Sequence, residues 1–171
     1  MQNSMIWFDR KFDFIIQPEL FPMLVERLRG TPARLEEKVK GLTEKILTKK
    51  IGEGWSIKEQ VGHLCVVEEL WIGRMDDYKN GTERLRPADL KNTKTKDSNF
   101  NEADINDLLK LFRKMRKELV DRLDAVEPNK VEQTALHPRL DTPMRIIDLV
   151  YFGAEHDDHH LACITDLLRR R

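Results

Sequence analysis

Three of the five histidines in this chain fall in one short segment, Glu155-His156-Asp157-Asp158-His159-His160. In a helix, which turns by about 100° per residue, His156 and His160 lie one turn apart on the same side, whereas His159 points about a quarter-turn away. The side of His160 carries apolar neighbours and that of His159 carries charged ones. We therefore expect two histidines to face the interior and one to face water. Two buried imidazoles cost free energy unless each has a partner, and one metal ion can occupy the adjacent lone pairs of both.

A third ligand is expected from a facing helix, and His63 is the only histidine that falls on any other predicted helix. Three imidazoles leave a coordination position open for water or a substrate, which is the arrangement of catalytic rather than closed structural sites. Imidazole suits zinc, nickel, copper and iron, so the ligand type alone does not identify the metal. The alternative is that His63, His156 and His160 are ordinary buried residues with hydrogen-bond partners.

Three other side chains are candidates for a catalytic acid or base. Asp157 adjoins His156, and its alternatives are a place on the helix surface or a hydrogen bond that orients a ligand histidine. Glu68 has the same alternatives, although it lies nearer the apolar stripe of its predicted helix. His137 precedes Pro138 in a predicted loop, where it is either an ordinary loop residue or a proton shuttle above the metal.

Amphipathic helices are predicted to position these side chains. Helix one runs from Pro18 to about Lys40, and the interruption Gly30-Thr31-Pro32 predicts either one kinked helix or two abutting ones. Helix two begins at a capping box formed by Ser56 and Glu59 and stops at Gly81. Between these two points the apolar residues of helix two lie on one face.

Two further helices complete the predicted scaffold. Helix three runs from about Asn101 to Val126, and helix four takes Thr142 as its N-cap and Pro143 as its first residue. Four long amphipathic helices with no strand pattern predict an all-α four-helix bundle. The polar segment 81–100 is a long loop between helices two and three, and we expect it to cover an active site or to serve as a crossover.

Composition excludes several classes of function. Thirty basic residues balance thirty acidic ones, so no overall field attracts nucleic acid or an anionic membrane surface. The two cysteines fall in helical patterns and do not make a disulfide framework. Charged residues interrupt the apolar N-terminal cluster, which therefore lacks the pattern of a signal peptide or a membrane span. We expect a cytoplasmic protein.

The domain organisation follows from length and from the first residues. Residues 1–17 carry too much apolar surface for a free tail, so we expect an arm that packs on the bundle or on a partner subunit. Residues 18–171 are expected to form a single domain, since the chain is too short for two domains that each have a sizeable hydrophobic core. The apolar arm suggests a homodimer.

Two segments of the sequence resemble the DinB-like superfamily, also described as YfiT-type metal-dependent hydrolases. They are Gly54-Trp55-Ser56-Ile57-Lys58-Glu59-Gln60-Val61-Gly62-His63-Leu64 and Glu155-His156-Asp157-Asp158-His159-His160-Leu161, and the resemblance extends over nearly the whole chain from Pro18. It implies a four-helix bundle that binds a divalent metal, zinc or nickel, through one histidine of the second helix and a His-x-x-x-His pair of the fourth. By position these ligands are His63, His156 and His160, the same three that helical geometry selects.

The resemblance also implies a class of chemistry. Similar proteins include transferases that use the thiols bacillithiol or mycothiol and a maleylpyruvate isomerase that depends on a thiol cofactor. Our hypothesis is a hydrolase or thiol S-transferase in which the metal activates water or a low-molecular-weight thiol for attack on a small-molecule substrate under the 81–100 loop. The alternative is a metal-binding stress-response module without catalysis.

Overall fold

The computed structural model describes residues 6–170, and most of these residues are helical. Four long helices form a bundle, and two short ones lie in the connections. The helices are Phe21–Val39 (α1), Glu44–Leu47 (α2), Ile57–Lys79 (α3), Thr93–Asp97 (α4), Ile105–Asp124 (α5) and Ile146–Arg169 (α6). A short antiparallel hairpin of strands Thr134–His137 (β1) and Thr142–Arg145 (β2) precedes α6. The predicted four-helix bundle is confirmed, with this hairpin as an addition.

The long helices are not arranged in the order of the sequence. Helix α1 packs against α5 and α6, and α3 packs against the same two helices. The order around the bundle is therefore α1, α5, α3, α6. Helices α1 and α3 lie across the bundle from each other, as do α5 and α6. The two helices that carry the candidate ligands, α3 and α6, are neighbours.

The start of α3 follows the predicted capping box. The Ser56 hydroxyl accepts a hydrogen bond from the Glu59 backbone N–H, and the Glu59 carboxylate accepts one from the Ser56 N–H at 2.8 Å. Both backbone donors at the helix end are thereby satisfied. In α1, by contrast, the helix continues through Pro32, so a single helix is formed rather than two.

The predicted start of the last helix was wrong. Thr142 and Pro143 belong to β2, where Pro143 pairs with Leu136, and the helix begins at Ile146. Asp141 adopts a left-handed conformation, with φ of 49°, and closes the turn between the strands. Each strand has four residues, which is too short for an alternating pattern to stand out in the sequence.

The segment between α3 and α5 is held to the bundle by backbone pairing. Leu85 N–H donates to the Leu136 carbonyl at 3.0 Å, and Leu136 N–H donates to the Glu83 carbonyl at 2.8 Å. The hairpin thus anchors the beginning of this segment, and helix α4 lies near its end against α3. The loop predicted over residues 81–100 therefore contains one short helix and a fixed first part.

The described part of the N-terminal arm packs on its own bundle. Trp7 and Phe12 contact Phe152 of α6 edge-to-face, and Arg10 forms an ion pair of 2.6 Å with Glu155. This agrees with one of the two predicted placements, while residues 1–5 of the predicted arm lie outside the described residues. Among the helices that the structure describes, none combines the length and apolar character needed to cross a membrane.

Candidate metal centre

Three histidines from two helices converge inside the bundle. His63 of α3 and His156 and His160 of α6 each offer one ring nitrogen, and these nitrogens lie within 4.8 Å of one another. The Nε2 atoms of His156 and His160 are 3.2 Å apart. Two nitrogen ligands at about 2.0–2.1 Å from a tetrahedral ion are separated by roughly 3.3 Å, so this pair fits one ion.

Hydrogen bonds fix the orientation of two of these rings. Nδ1 of His160 lies 2.5 Å from the Gln60 side-chain oxygen, which can only accept, so Nδ1 carries the proton and Nε2 keeps its lone pair. Nδ1 of His63 lies 2.9 Å from the Thr95 hydroxyl of α4. Partners of this kind present the other nitrogen to a metal. Nδ1 of His156 is buried and has no hydrogen-bond partner among residues 6–170.

The three imidazoles are neutral at physiological pH. Burial lowers the pKa of His63 to about 4, with the nearby His159 as a smaller cause. Burial also lowers the pKa of His156 and of His160 well below the usual value, and the neighbouring histidines add to the effect. A buried cluster that resists protonation offers lone pairs to a cation, because a neutral imidazole keeps one ring nitrogen able to accept. The donor set therefore fits a divalent metal of the imidazole-binding type.

Aromatic rings surround the histidines on several sides. Trp55, which precedes the α3 cap, stacks on His160 with the rings 6.2 Å apart and lies 4.7 Å from His63. Trp7 of the arm meets His156 edge-on at 4.9 Å. The cluster opens into a cavity of about 670 Å³, large enough for a small organic molecule. Segment 86–95 lines that cavity, in agreement with the predicted role of the loop as a cover.

A model of the DinB superfamily matches residues 27–164. The chain belongs to the DinB superfamily. Among solved structures, YfiT from Bacillus subtilis, a probable metal-dependent hydrolase with an unusual four-helix bundle topology, is similar with a TM-score of 0.83 and 22% identity, over 94% of this chain and 93% of that one. A mycothiol-dependent maleylpyruvate isomerase is similar with a TM-score of 0.66 and 10% identity, over 92% of this chain and 62% of that one. Comparison with curated protein sequences gives no match.

In this DinB-superfamily protein the candidate acids Glu68 and Asp157 face away from the cavity. Both are fully buried against Arg116 of α5, which reaches Glu68 at 2.6 Å and Asp157 at 2.5 Å. Asp157 also accepts a hydrogen bond from the Thr31 hydroxyl. Asp157 is therefore neither a surface residue nor a direct partner of a cluster histidine. The two carboxylates tie the DinB bundle together rather than lining its cavity.

His137 does line the cavity, but as a buried residue of β1 rather than a loop residue. Its Nδ1 faces the Leu140 backbone N–H at 3.1 Å, and its Nε2 lies 3.2 Å from Nη1 of Arg74. Both neighbours are donors, so a neutral imidazole can accept from one of them and an imidazolium from neither. Burial lowers the pKa of His137 to about 3, and the charges of Arg74 and Arg139 contribute.

The expectation that His159 faces water was wrong. His159 is half-buried and lines the cavity, where Trp7 lies 5.7 Å from its ring. The arm covers this side of α6, so helical periodicity alone gave the wrong environment.

Sequence reasoning also missed the contacts of Gln60 and Thr95. Gln60 stands one turn before His63 and could have been found by that spacing, whereas no local signal places Thr95.

Proposed function

We propose that this member of the DinB superfamily is a metal-dependent enzyme, a hydrolase or a thiol S-transferase, with His63, His156 and His160 as ligands of one divalent cation. The convergence of three neutral imidazoles at the edge of a cavity carries this proposal. The similarity to a probable metal-dependent hydrolase and to a mycothiol-dependent isomerase supports it. Zinc and nickel are the metals we propose, because the family resemblance implies them and imidazole suits both.

When bound, a divalent cation with one open position would lower the pKa of a water or a small thiol there toward neutrality, which supplies a nucleophile. The protein's own residues would orient the ligand rings and exclude water from the site. Gln60 and Thr95 hold two of the rings, and Trp55 and Trp7 cover the cluster from two sides. The cavity would hold the small-molecule substrate beside the cluster.

Elemental analysis of the purified protein tests the metal site. We expect about one zinc or nickel per chain in the native protein and its loss in His63→Ala and His160→Ala. His159→Ala is the matched control, since His159 adjoins His160 in the sequence but stands outside the cluster. Equal metal content in all four proteins would contradict the assignment.

Activity assays test the reaction. The metal-loaded protein is offered a thiol with an electrophilic aryl halide, and separately simple esters and amides. Turnover that depends on the metal and disappears in His160→Ala would support an enzyme, and the productive assay would separate thiol transfer from hydrolysis. Stoichiometric metal without turnover in any assay would favour the non-catalytic binding module.

A further inference from the structure

Two guanidinium groups line the cavity without a carboxylate partner among the described residues. Arg74 of α3 is 1% exposed, and it donates to the Arg86 carbonyl from Nε and Nη2, both at 3.2 Å. Arg139, in the turn between β1 and β2, has a buried Nη2 that finds no acceptor in residues 6–170. Both side chains belong to the wall of the same cavity as the three histidines.

The acidic groups near this wall are already engaged, and the carboxylate of Asp89 in the lining accepts from two backbone N–H groups. Asp77 accepts from the backbone and the guanidinium of Arg86, with contacts of 2.8 Å to the Arg86 N–H and to its Nη2. Glu69 pairs with Lys94 at 2.9 Å. Arg86 and Lys94 therefore each have a carboxylate partner. The positive charges of Arg74 and Arg139 have none among the described residues and are in excess.

Both excess groups keep their charge at neutral pH. Burial, together with smaller effects of the Arg139 and Arg86 charges, lowers the pKa of Arg74 to about 10 against the opposing effects of Tyr78 and Asp77. Burial also lowers the pKa of Arg139. His137 between them is neutral and adds no charge of either sign. Burying a cation without a counter-ion costs free energy, so an anion that binds at this wall would offset that cost.

Aromatic surfaces connect the arginines to the histidine cluster. The Arg139 guanidinium lies over Phe152 at 5.8 Å, and the Arg74 guanidinium lies over Trp71 at 5.5 Å. Trp71 and Phe152 meet edge-on, and Trp71 also meets His156 at 6.1 Å. A molecule that lies along these rings would have one end at the arginines and the other near the histidines.

We propose that Arg74 and Arg139 bind the carboxylate of a small, largely apolar organic acid, whose other end lies near His156. The planar fork of a guanidinium matches the two oxygens of a carboxylate, and the rings favour an apolar body. The identification of this acid as the substrate rests on the proposed function. The anion site itself depends only on the arginine wall.

Isothermal titration with benzoate tests the site in the protein as purified and after removal of metal by a chelator. Phenyl phosphate and the neutral benzyl alcohol are the comparison probes. Arg139→Gln removes the charge from a half-buried position, so the variant should fold. Arg84→Gln is the matched control, because Arg84 is an exposed arginine that pairs with Asp141.

We expect saturable benzoate binding that weakens roughly tenfold to a hundredfold in Arg139→Gln and is unchanged in Arg84→Gln. Benzyl alcohol should bind at least about tenfold more weakly than benzoate. Equal affinity in Arg139→Gln and the native protein, or equal affinity for the alcohol, would overturn the proposal. Tighter binding of phenyl phosphate than of benzoate would overturn the choice of a carboxylate. Benzoate binding that survives chelation separates this site from the metal, so either proposal can fail alone.

Discussion

At the scale of single residues, the candidate metal centre depends on side chains that would not themselves touch a metal. Gln60 accepts a hydrogen bond from Nδ1 of His160, and the Thr95 hydroxyl lies against Nδ1 of His63. Each contact occupies Nδ1 and so leaves Nε2 as the ring nitrogen available to a metal. Such contacts raise affinity by fixing the orientation of the ligand before the metal arrives.

Gln60→Leu should weaken metal binding by about 10- to 100-fold, because the variant removes the acceptor for Nδ1–H of His160. Gln60→Glu keeps an acceptor oxygen at the same place and should retain most of the affinity. Competition with a chelator of known affinity measures both variants against the native protein. An affinity in Gln60→Leu equal to the native value would show that Gln60 does not position His160.

The sequence allowed prediction of the three histidines but not of their surroundings. The spacing of His156 and His160 defines one side of a helix, and the apolar neighbours of that side identify it as buried. Thr95 and Arg139 come from connections between the long helices, where no periodicity predicts which side chains reach the cavity. Only tertiary packing brings them there.

At the scale of elements, α3 is joined to the start of α5 by an unusually close contact. The ring of Phe100 lies directly over Gly62 of α3, and a Cβ atom built on Gly62 would lie 2.3 Å from Phe100 Cγ. Phe100 belongs to a 3-10 turn, Phe100–Glu102, just before α5. The absence of a side chain at position 62 therefore sets how closely this turn packs on α3.

Gly62→Ala should lower the free energy of unfolding by about 1–3 kcal/mol, because the ring must move or the helix must shift. In a Phe100→Ala background the same substitution should cost much less. Gly30→Ala in α1 is the control: a Cβ there meets nothing within 4 Å, and alanine should stabilise the helix by roughly 0.5–1 kcal/mol. Urea unfolding of the metal-free proteins measures all of these. Equal costs in both backgrounds would show that Phe100 is not the cause.

Elements with strong local signals were predicted well, and those that depend on distant pairing were not. The Ser56 capping box marks the start of α3 to the residue. The β1–β2 hairpin was missed, although its turn contains Asp141 and its second strand contains Pro143. Strand β1 also pairs with segment 83–85, and nothing in the local sequence of the hairpin indicates that distant contact.

At the scale of the whole molecule, a buried ion network joins the four long helices. Arg116 of α5 contacts Glu68 of α3, Asp157 of α6 and the Leu28 carbonyl of α1. Burial alone would lower the pKa of Arg116, but the two carboxylates outweigh it and raise that pKa. One guanidinium thus satisfies polar groups from three other helices at once.

Arg116→Met should destabilise the protein by about 3–5 kcal/mol, because two carboxylates would stay buried without their cation. Arg113→Met is the matched control on the same helix. Its pair with Glu36 is exposed, so that variant should lose less than about 1 kcal/mol. Chemical unfolding followed by circular dichroism gives both values. Similar losses in the two variants would show that the network contributes no more than a surface pair.

The order of the helices around the bundle also affects how the chain can acquire its fold. Of the long helices, only α3 and α5 are both consecutive and adjacent, so they are the pair that can form by local contacts. During synthesis, α1 leaves the ribosome before either of the helices it packs against has been made. His63 likewise cannot contact His156 and His160 until α6, the last helix of the described chain, has been synthesised. A nascent chain stalled before α6 should therefore expose apolar surface and require a chaperone.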